Sequence, residues 1–147
     1  MENNDIGFLI KHLNILVGKQ FAQKLESRQT GYTRTQIQVI AYLMDHPDEP
    51  VQQRDLEHVL NLSRPTINGI VKRLSAKGAV HLVPGEEDRR LKRLVLSDKA
   101  KKEADAHRDS FKQDVQFIED QLTAGMTPDQ VTQLKHSLRQ CIENMQK

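Results

Sequence analysis

The spacing of apolar positions changes along the chain, and each change marks an element. Near the start, Ile6, Leu9, Ile10, Leu13, Leu16, Val17, Phe21 and Leu25 fall on one helical stripe. That recurrence predicts a long amphipathic helix. It should end near the SRQTG stretch, where Gly31 takes the left-handed backbone. TRTQ, beginning at Thr33, has the Thr-x-x-Gln form of a capping box and opens a second helix. Ile37, Ile40, Ala41 and Met44 carry that helix to about Asp45, and His46-Pro47 followed by Pro50 stops it. A short helix over roughly 52–59, a turn at Leu60–Leu62 and another helix over roughly 63–76 capped by Gly78 come next. Asn61 tolerates the left-handed conformation such a turn needs. Ser63 is placed as N-cap, and Pro65 falls in the first turn, where its missing N–H does no harm.

Two short runs rich in Val and Leu follow, AVHLVP and LKRLVLS. Each is too short for a helix, and together they predict a hairpin whose tip is the charged stretch GEEDRRLKR, residues 85–93. Ser97-Asp98 then opens a long helix to about Leu122, with Ala100, Ala104, His107, Phe111, Val115, Ile118 and Leu122 on one stripe. Gly125 and Met126 break it. TPDQ at 127–130 repeats the Thr-x-x-Gln cap, with Pro128 at the first helical position. Val131, Leu134, Leu138, Cys141 and Met145 then step by 3, 4, 3 and 4, a short heptad-type seam. The predicted fold is mainly α with a small β-hairpin wing. It is a winged helix-turn-helix over residues 33–97, flanked by an N-terminal helix over 1–32 and C-terminal helices over 98–147, which the family resemblance given below implies are dimerisation helices.

Composition narrows the function classes. The 147 residues suffice for one compact domain with extended arms. With 37% hydrophobic and 29% charged residues and no Trp, the chain suits helices with polar faces better than an aromatic-lined enzyme cleft. No nucleophile–base pairing, phosphate loop or metal cluster is visible, so neither catalysis nor a cofactor is expected. Six histidines are scattered singly, short of the convergent set that zinc needs. One cysteine excludes an internal disulfide framework. The first residues lack a secretory pattern, and no apolar run reaches the ~18 residues of a membrane span. A cytoplasmic protein is expected. Cys141, on the apolar seam, reads as a buried and inert thiol.

The net charge of +2 conceals a division. Residues 61–101 hold ten Lys/Arg against four Asp/Glu, while the remainder is net acidic. A basic segment centred on a helix-turn-helix and hairpin is the pattern of a nucleic-acid contact surface. The helix after the turn begins SRPTINGIVKR. Around Pro65 it offers Ser63, Arg64, Thr66 and Asn68, whose hydroxyls, guanidinium and amide donate to phosphates and read base edges. Lys72 and Arg73 follow for backbone phosphates. In the hairpin tip, Asp88 is expected to hold the Arg90 guanidinium by a charge-assisted hydrogen bond. Arg90 would then enter the minor groove, with Arg89, Lys92 and Arg93 on phosphate. The order of Arg89 and Arg90 is left open by the sequence.

LSRPTINGIVKRLSAKGAV and EEDRRLKRLVLSDKAKK, together with the long helices at both ends, resemble the MarR family of bacterial transcription regulators. Asp88-Arg89-Arg90 and LVLSD match the family's wing and the helix start after it. The chain departs from the family in having Glu57 where a small residue is common and Asn61 where Gly is usual. Lys99 or Ala100 stands where Gly follows in the family. The resemblance implies a homodimer with interlocked terminal helices, bound to a pseudo-palindromic operator on double-stranded DNA. It further implies a repressor released by a small lipophilic or phenolic effector, although the residues fit activation equally. The implied effector pocket lies between the first two helices and the long helix after the wing, with Phe8, His12, Tyr32 and Phe111 as candidate contacts. Zinc-sensing relatives carry a histidine pair where this chain has His107 and Phe111, so one ligand is missing. Oxidant-sensing relatives use a cysteine on the first helix, and here that helix has none. The alternative is a winged-helix protein-interaction module without direct DNA binding, against which the polar helix and basic wing argue.

Overall fold

The computed structural model describes residues 3–147. The described elements run α1 Ile6–Ser27, α2 Arg34–Asp45, α3 Gln53–Leu60, α4 Arg64–Ala76, β1 Val80–Pro84, β2 Lys92–Leu96, α5 Asp98–Leu122 and α6 Pro128–Met145. Local chemistry accounts for the starts. The carboxylate of Asp5 accepts the Phe8 N–H at 2.8 Å to cap α1. Thr33 and Gln36 close a reciprocal capping box on α2, and Thr127 and Gln130 do the same on α6. Asp55 reaches back to the Gln52 N–H at 2.8 Å and satisfies the entry to α3.

One packed core joins α2, α3, α4, the hairpin and the start of α5. Val39, Ile40 and Leu43 of α2 meet Leu56 of α3 and the buried face of α4, formed by Ile67, Ile70, Val71 and Leu74. Val80, Leu94 and Leu96 of the hairpin and Ala100 of α5 close it. β1 and β2 pair antiparallel with Val80 opposite Leu96 and Leu82 opposite Leu94. The Leu94 N–H also donates to the Val51 carbonyl at 2.8 Å, which ties the segment ahead of α3 to the hairpin. Leu56, Ile67 and Leu74 are wholly buried. Truncating any one to Ala would cost about 2–5 kcal/mol.

Two turns set the directions of α4 and the hairpin. Asn61 adopts φ 53 and ψ 47, and both its own N–H and that of Leu62 donate to the Glu57 carbonyl. The sharp left-handed exit turns α4 against α3. At the far end of α4, Gly78 takes φ 73 while the Ala79 N–H bonds back to the Leu74 carbonyl at 2.9 Å. That left-handed step suits glycine and leads directly into β1.

The chain forms two compact units, one ending at Phe111 and one over Lys112–Lys147. Their boundary lies inside α5, whose first turns belong with the winged core through Ala100, and whose Phe111 ring faces Phe21 of α1. In the second unit, Lys135 of α6 pairs with Glu119 of α5 at 3.5 Å.

Burial within the single chain is less extensive than the apolar stripes alone suggest. On α1 only Phe21 and Leu25 are buried, while Ile6, Leu9, Ile10, Leu13 and Leu16 stay exposed. No residue of α6 is buried, and Leu134, Leu138 and Met145 of its seam are exposed. Cys141, expected to be buried, is exposed with them. Among the described residues nothing buries these stripes. On α5, His107 faces solvent despite its place on the apolar stripe, and Asp114 rather than Val115 is fully buried. Among the described residues no helix is long and apolar enough to cross a membrane.

Asn61 carries its backbone strain at modest cost because Asn tolerates the left-handed region. Asn61→Gly should leave stability unchanged or slightly raised, whereas Asn61→Val should cost about 1–2 kcal/mol. Urea unfolding monitored by helical circular dichroism distinguishes the two. Equal losses would show that the Asn side chain, not its φ, matters.

Candidate nucleic-acid interface

The amphipathic division of α4 decides what it can touch. Ile67, Ile70, Val71 and Leu74 face the core, so Arg64, Pro65, Thr66, Asn68, Lys72 and Arg73 all stand in solvent. Arg64, Asn68 and Lys72 are successive at four-residue intervals, one above another on the open face. Ser63 caps the helix, its Oγ accepting the Thr66 N–H at 3.4 Å. The two hydroxyls also bond to each other at 2.9 Å. One hydroxyl proton is spent within the pair and the other is left to donate outward. Arg73 folds back along its helix: a Cβ at Gly69 would lie 3.3 Å from Arg73 Nη1.

The wing tip is organised by one carboxylate. Asp88 Oδ1 accepts the Arg90 N–H at 3.0 Å and faces Arg90 Nε at 3.3 Å, while Oδ2 takes Nη2 at 3.4 Å. A guanidinium held along one edge by both carboxylate oxygens has a defined direction although its side chain is 91% exposed. Such an exposed pair adds little to stability, ~1 kcal/mol at most. Its effect is on orientation. Arg89, Glu86 and Glu87 are exposed beside it. Arg93, expected on phosphate with Lys92, is half-buried instead, and its Nε is buried without a hydrogen-bond partner.

Between α3, α4 and the wing opens a cleft of about 430 Å³. Arg54, Arg64, Asn68, Arg90 and Lys92 line it, with Glu57 as its one carboxylate. The exposed face of α4 and the oriented wing arginine therefore border one continuous basic surface.

A surface of this kind on this topology has known counterparts. Residues 30–91, from the start of the second helix's approach to the wing tip, match the model of the MarR family. The winged segment is thus similar to the MarR family. These likenesses support a DNA-binding transcription regulator. Among solved structures, the transcription regulator MarR from Oenococcus oeni PSU-1 is 27% identical, with a TM-score of 0.71 over 95% of this chain and 99% of that one. MepR from S. aureus in complex with DNA is 21% identical, with a TM-score of 0.82 over 95% and 98%. CouR from Rhodococcus jostii RHA1 bound to p-coumaroyl-CoA is 24% identical, with a TM-score of 0.70 over 92% and 90%. At the identities of the last two, the likeness is one of fold. No curated protein sequence matches the chain.

The four effector candidates are not brought together within the single chain. Phe8 stacks obliquely on His12, both exposed, with ring centroids 6.0 Å apart. Phe111 meets Phe21 at 6.4 Å, and the Arg34 guanidinium lies 4.0 Å over the Phe21 ring. Phe8 and Phe21 are separated by about 20 Å of helix. Tyr32 is half-buried, and its hydroxyl donates to Glu103 Oε2 at 3.0 Å. Burial, reinforced by that carboxylate, pushes the phenol above its ordinary value, so it remains a proton donor at neutral pH. Burial also lowers the Arg34 guanidinium from its usual value. Lys77, at the end of α4, donates to the Gly31 carbonyl and to Gln36 Oε1, and its ammonium lies 4.9 Å from the Tyr32 ring. Among the described residues no three His, Cys, Asp or Glu side chains converge to hold a metal ion.

Two residues of the interface escaped the sequence. Glu57 is seen there only as a departure from the family, yet it pairs with Arg64 at 3.4 Å. Gly85 starts the wing tip, and a Cβ on it would meet the Asp88 and Leu91 carbonyl oxygens at 2.6 Å each. The tip closes on itself there, with the Leu91 N–H bonded to the Asp88 carbonyl at 3.1 Å. Gly85→Ala must open that turn. It should weaken DNA binding about tenfold, roughly 1.4 kcal/mol, with little change in helical content. Electrophoretic mobility shift alongside circular dichroism would reveal this, and undiminished affinity would mean that tip geometry is immaterial.

Proposed function

We propose that this chain is a homodimeric repressor that binds a pseudo-palindromic operator and is released by a small aromatic or lipophilic effector. The observation that carries the DNA half of the reading is the shared cleft, which presents Arg64 and Asn68 of α4 and Arg90 of the wing on one basic surface. In this reading α4 enters the major groove. Arg64 and Asn68 contact base edges, Thr66 and the Ser63 hydroxyl share phosphate and edge contacts, and Lys72 and Arg73 sit on the backbone. Arg90, aimed by Asp88, reaches into the adjacent minor groove, while Arg89 and Lys92 hold phosphates beside it. MepR, a protein of the same fold, is found on DNA.

The dimer is supported by apolar surface that one chain leaves bare. Ile6, Leu9, Ile10 and Leu13 on α1, and Leu134, Leu138, Ile142 and Met145 on α6, are all exposed. Apolar stripes of that extent mark a protein contact, and a second copy offers matching ones. A twofold dimer sets two copies of α4 about 34 Å apart, one turn of B-DNA. Cys141, exposed in the single chain, lies on the stripe so covered.

For the effector, Tyr32 and Phe111 of the candidate set stand nearest a suitable chemistry, with Phe21 and Arg34 beside Phe111. Aromatic walls, a half-buried cation and a phenol donor suit an aromatic ligand with an acidic or polar end. CouR, in its own structure, holds p-coumaroyl-CoA. Phe8 and His12 belong instead to the α1 face that the partner covers. Lys77 touches the loop that carries Tyr32, so a ligand there would bias the position of α4 and with it the spacing of the two reading helices.

DNA binding should fall steeply with salt, because several phosphates are neutralised by Lys and Arg. Arg90→Ala should weaken operator binding by about 1–3 kcal/mol without dissociating the dimer. Fluorescence anisotropy titrations across a salt series measure both, and a flat salt response would count against the DNA reading. Separately, Leu138→Glu should convert a dimer to a monomer in sedimentation velocity. A wild-type chain sedimenting as a monomer would end the dimer proposal.

A further inference from the structure

The basic cleft contains one anion, and its placement is informative. Glu57 sits in the last full turn of α3, with its side chain only 22% exposed, and its Oε1 lies 3.4 Å from Nε of Arg64, which is 78% exposed. The same residue's backbone carbonyl receives the N–H groups of Asn61 and Leu62 that form the turn. Glu57 is therefore fixed at its main chain by the turn and faces, across that turn, the first residue of the reading helix. The other charged groups of the cleft, Arg54, Arg64, Arg90 and Lys92, are cations.

In a surface built to meet phosphate, a lone carboxylate opposes binding to every duplex alike. What it contributes in return follows from the shape of the guanidinium. Arginine offers hydrogen-bond pairs along two edges, one including Nε and one at the Nη1/Nη2 end. With Nε facing Glu57, the Nη1/Nη2 end is left out of that pair, on a residue that lines the cleft. That end presents the two parallel donors which pair with O6 and N7 of guanine. On the wing side Asp88 holds Arg90 more fully, by hydrogen bonds to both Nε and Nη2.

We infer that Glu57 is a specificity-determining positioning residue, which holds Arg64 by Nε so that its Nη pair reads a guanine edge while its charge weakens attachment to non-cognate DNA. The inference rests on the DNA-binding reading above. Glu57 raises the ratio of operator to non-specific affinity and lowers non-specific affinity itself. A merely structural role at the turn would change both affinities together and leave their ratio intact.

The test uses the full chain and two duplexes: the sequence that the wild-type protein enriches from a randomised pool, and the same bases shuffled. Glu57→Gln keeps the size and the backbone anchor, so it folds where a harsher change might not. It should bind the shuffled duplex on the order of fivefold more tightly, the effect of removing one charge at close range in water. The operator-to-shuffled ratio should fall about tenfold. In an Arg64→Ala background, the same substitution should leave that ratio unchanged, and replacing the contacted guanine by 7-deazaguanine should weaken wild type but not Arg64→Ala. An unchanged ratio in Glu57→Gln overturns the role. So does an equal fall in the ratio when Arg64 is absent, which would mean that Glu57 contacts a base itself. A wild-type chain that enriches no sequence overturns the DNA reading along with it, whereas enrichment with an unaltered ratio overturns only the role of Glu57.

Discussion

The Glu57 carbonyl, accepting two successive N–H groups around a left-handed Asn61, is the constraint on which the interface depends. It turns the chain sharply enough for Leu56 on one side and Ile67 on the other to share one core. With α4 seated by Ile67, Ile70, Val71 and Leu74, its opposite face has no choice but solvent. The Schellman-like exit at Gly78 then delivers β1 to the same core through Val80. Helix, turn and hairpin are thus positioned by one apolar cluster, and the polar residues they carry acquire their arrangement as a by-product of packing.

Much of this was legible before any coordinates. Thr33 and Thr127 announced helix starts because a capping box is a local contest between side chain and backbone, settled within four residues. Asn61 was legible for the same reason, as was the pairing of Asp88 with Arg90 two residues on. Burial on α1 and α6 was not. Hydrophobic periodicity reports that a stripe wants cover but not which surface provides it, so Cys141 was expected inside and stands outside. The separation of Phe8 and His12 from Phe111 along the chain's helices was not legible either, since contacts between distant helices depend on axial offsets that a sequence does not print.

Glu57 and Arg93 show a different limit. Glu57 joins Arg64 only once the turn is folded, across seven residues with no periodic signature. Arg93 looks like one more surface cation in a run of charge. Yet the strand alternation that buries Leu94 and Leu96 turns Arg93 to the opposite side with Val83 and half buries it there. Counting charges describes a segment's average field, whereas the strand register decides which of those charges can meet a phosphate.

The tight base of the wing at Gly85 has a consequence for rates. A loop that must order itself on arrival spends conformational entropy at the moment of contact and slows docking. Here the Leu91 N–H bond to the Asp88 carbonyl and the bidentate grip on Arg90 have already removed most of that freedom during folding. A tip closed in this way would meet a target as a stiff strut of set length, and encounter would then depend on orientation of the whole body, not on a search among loop conformations.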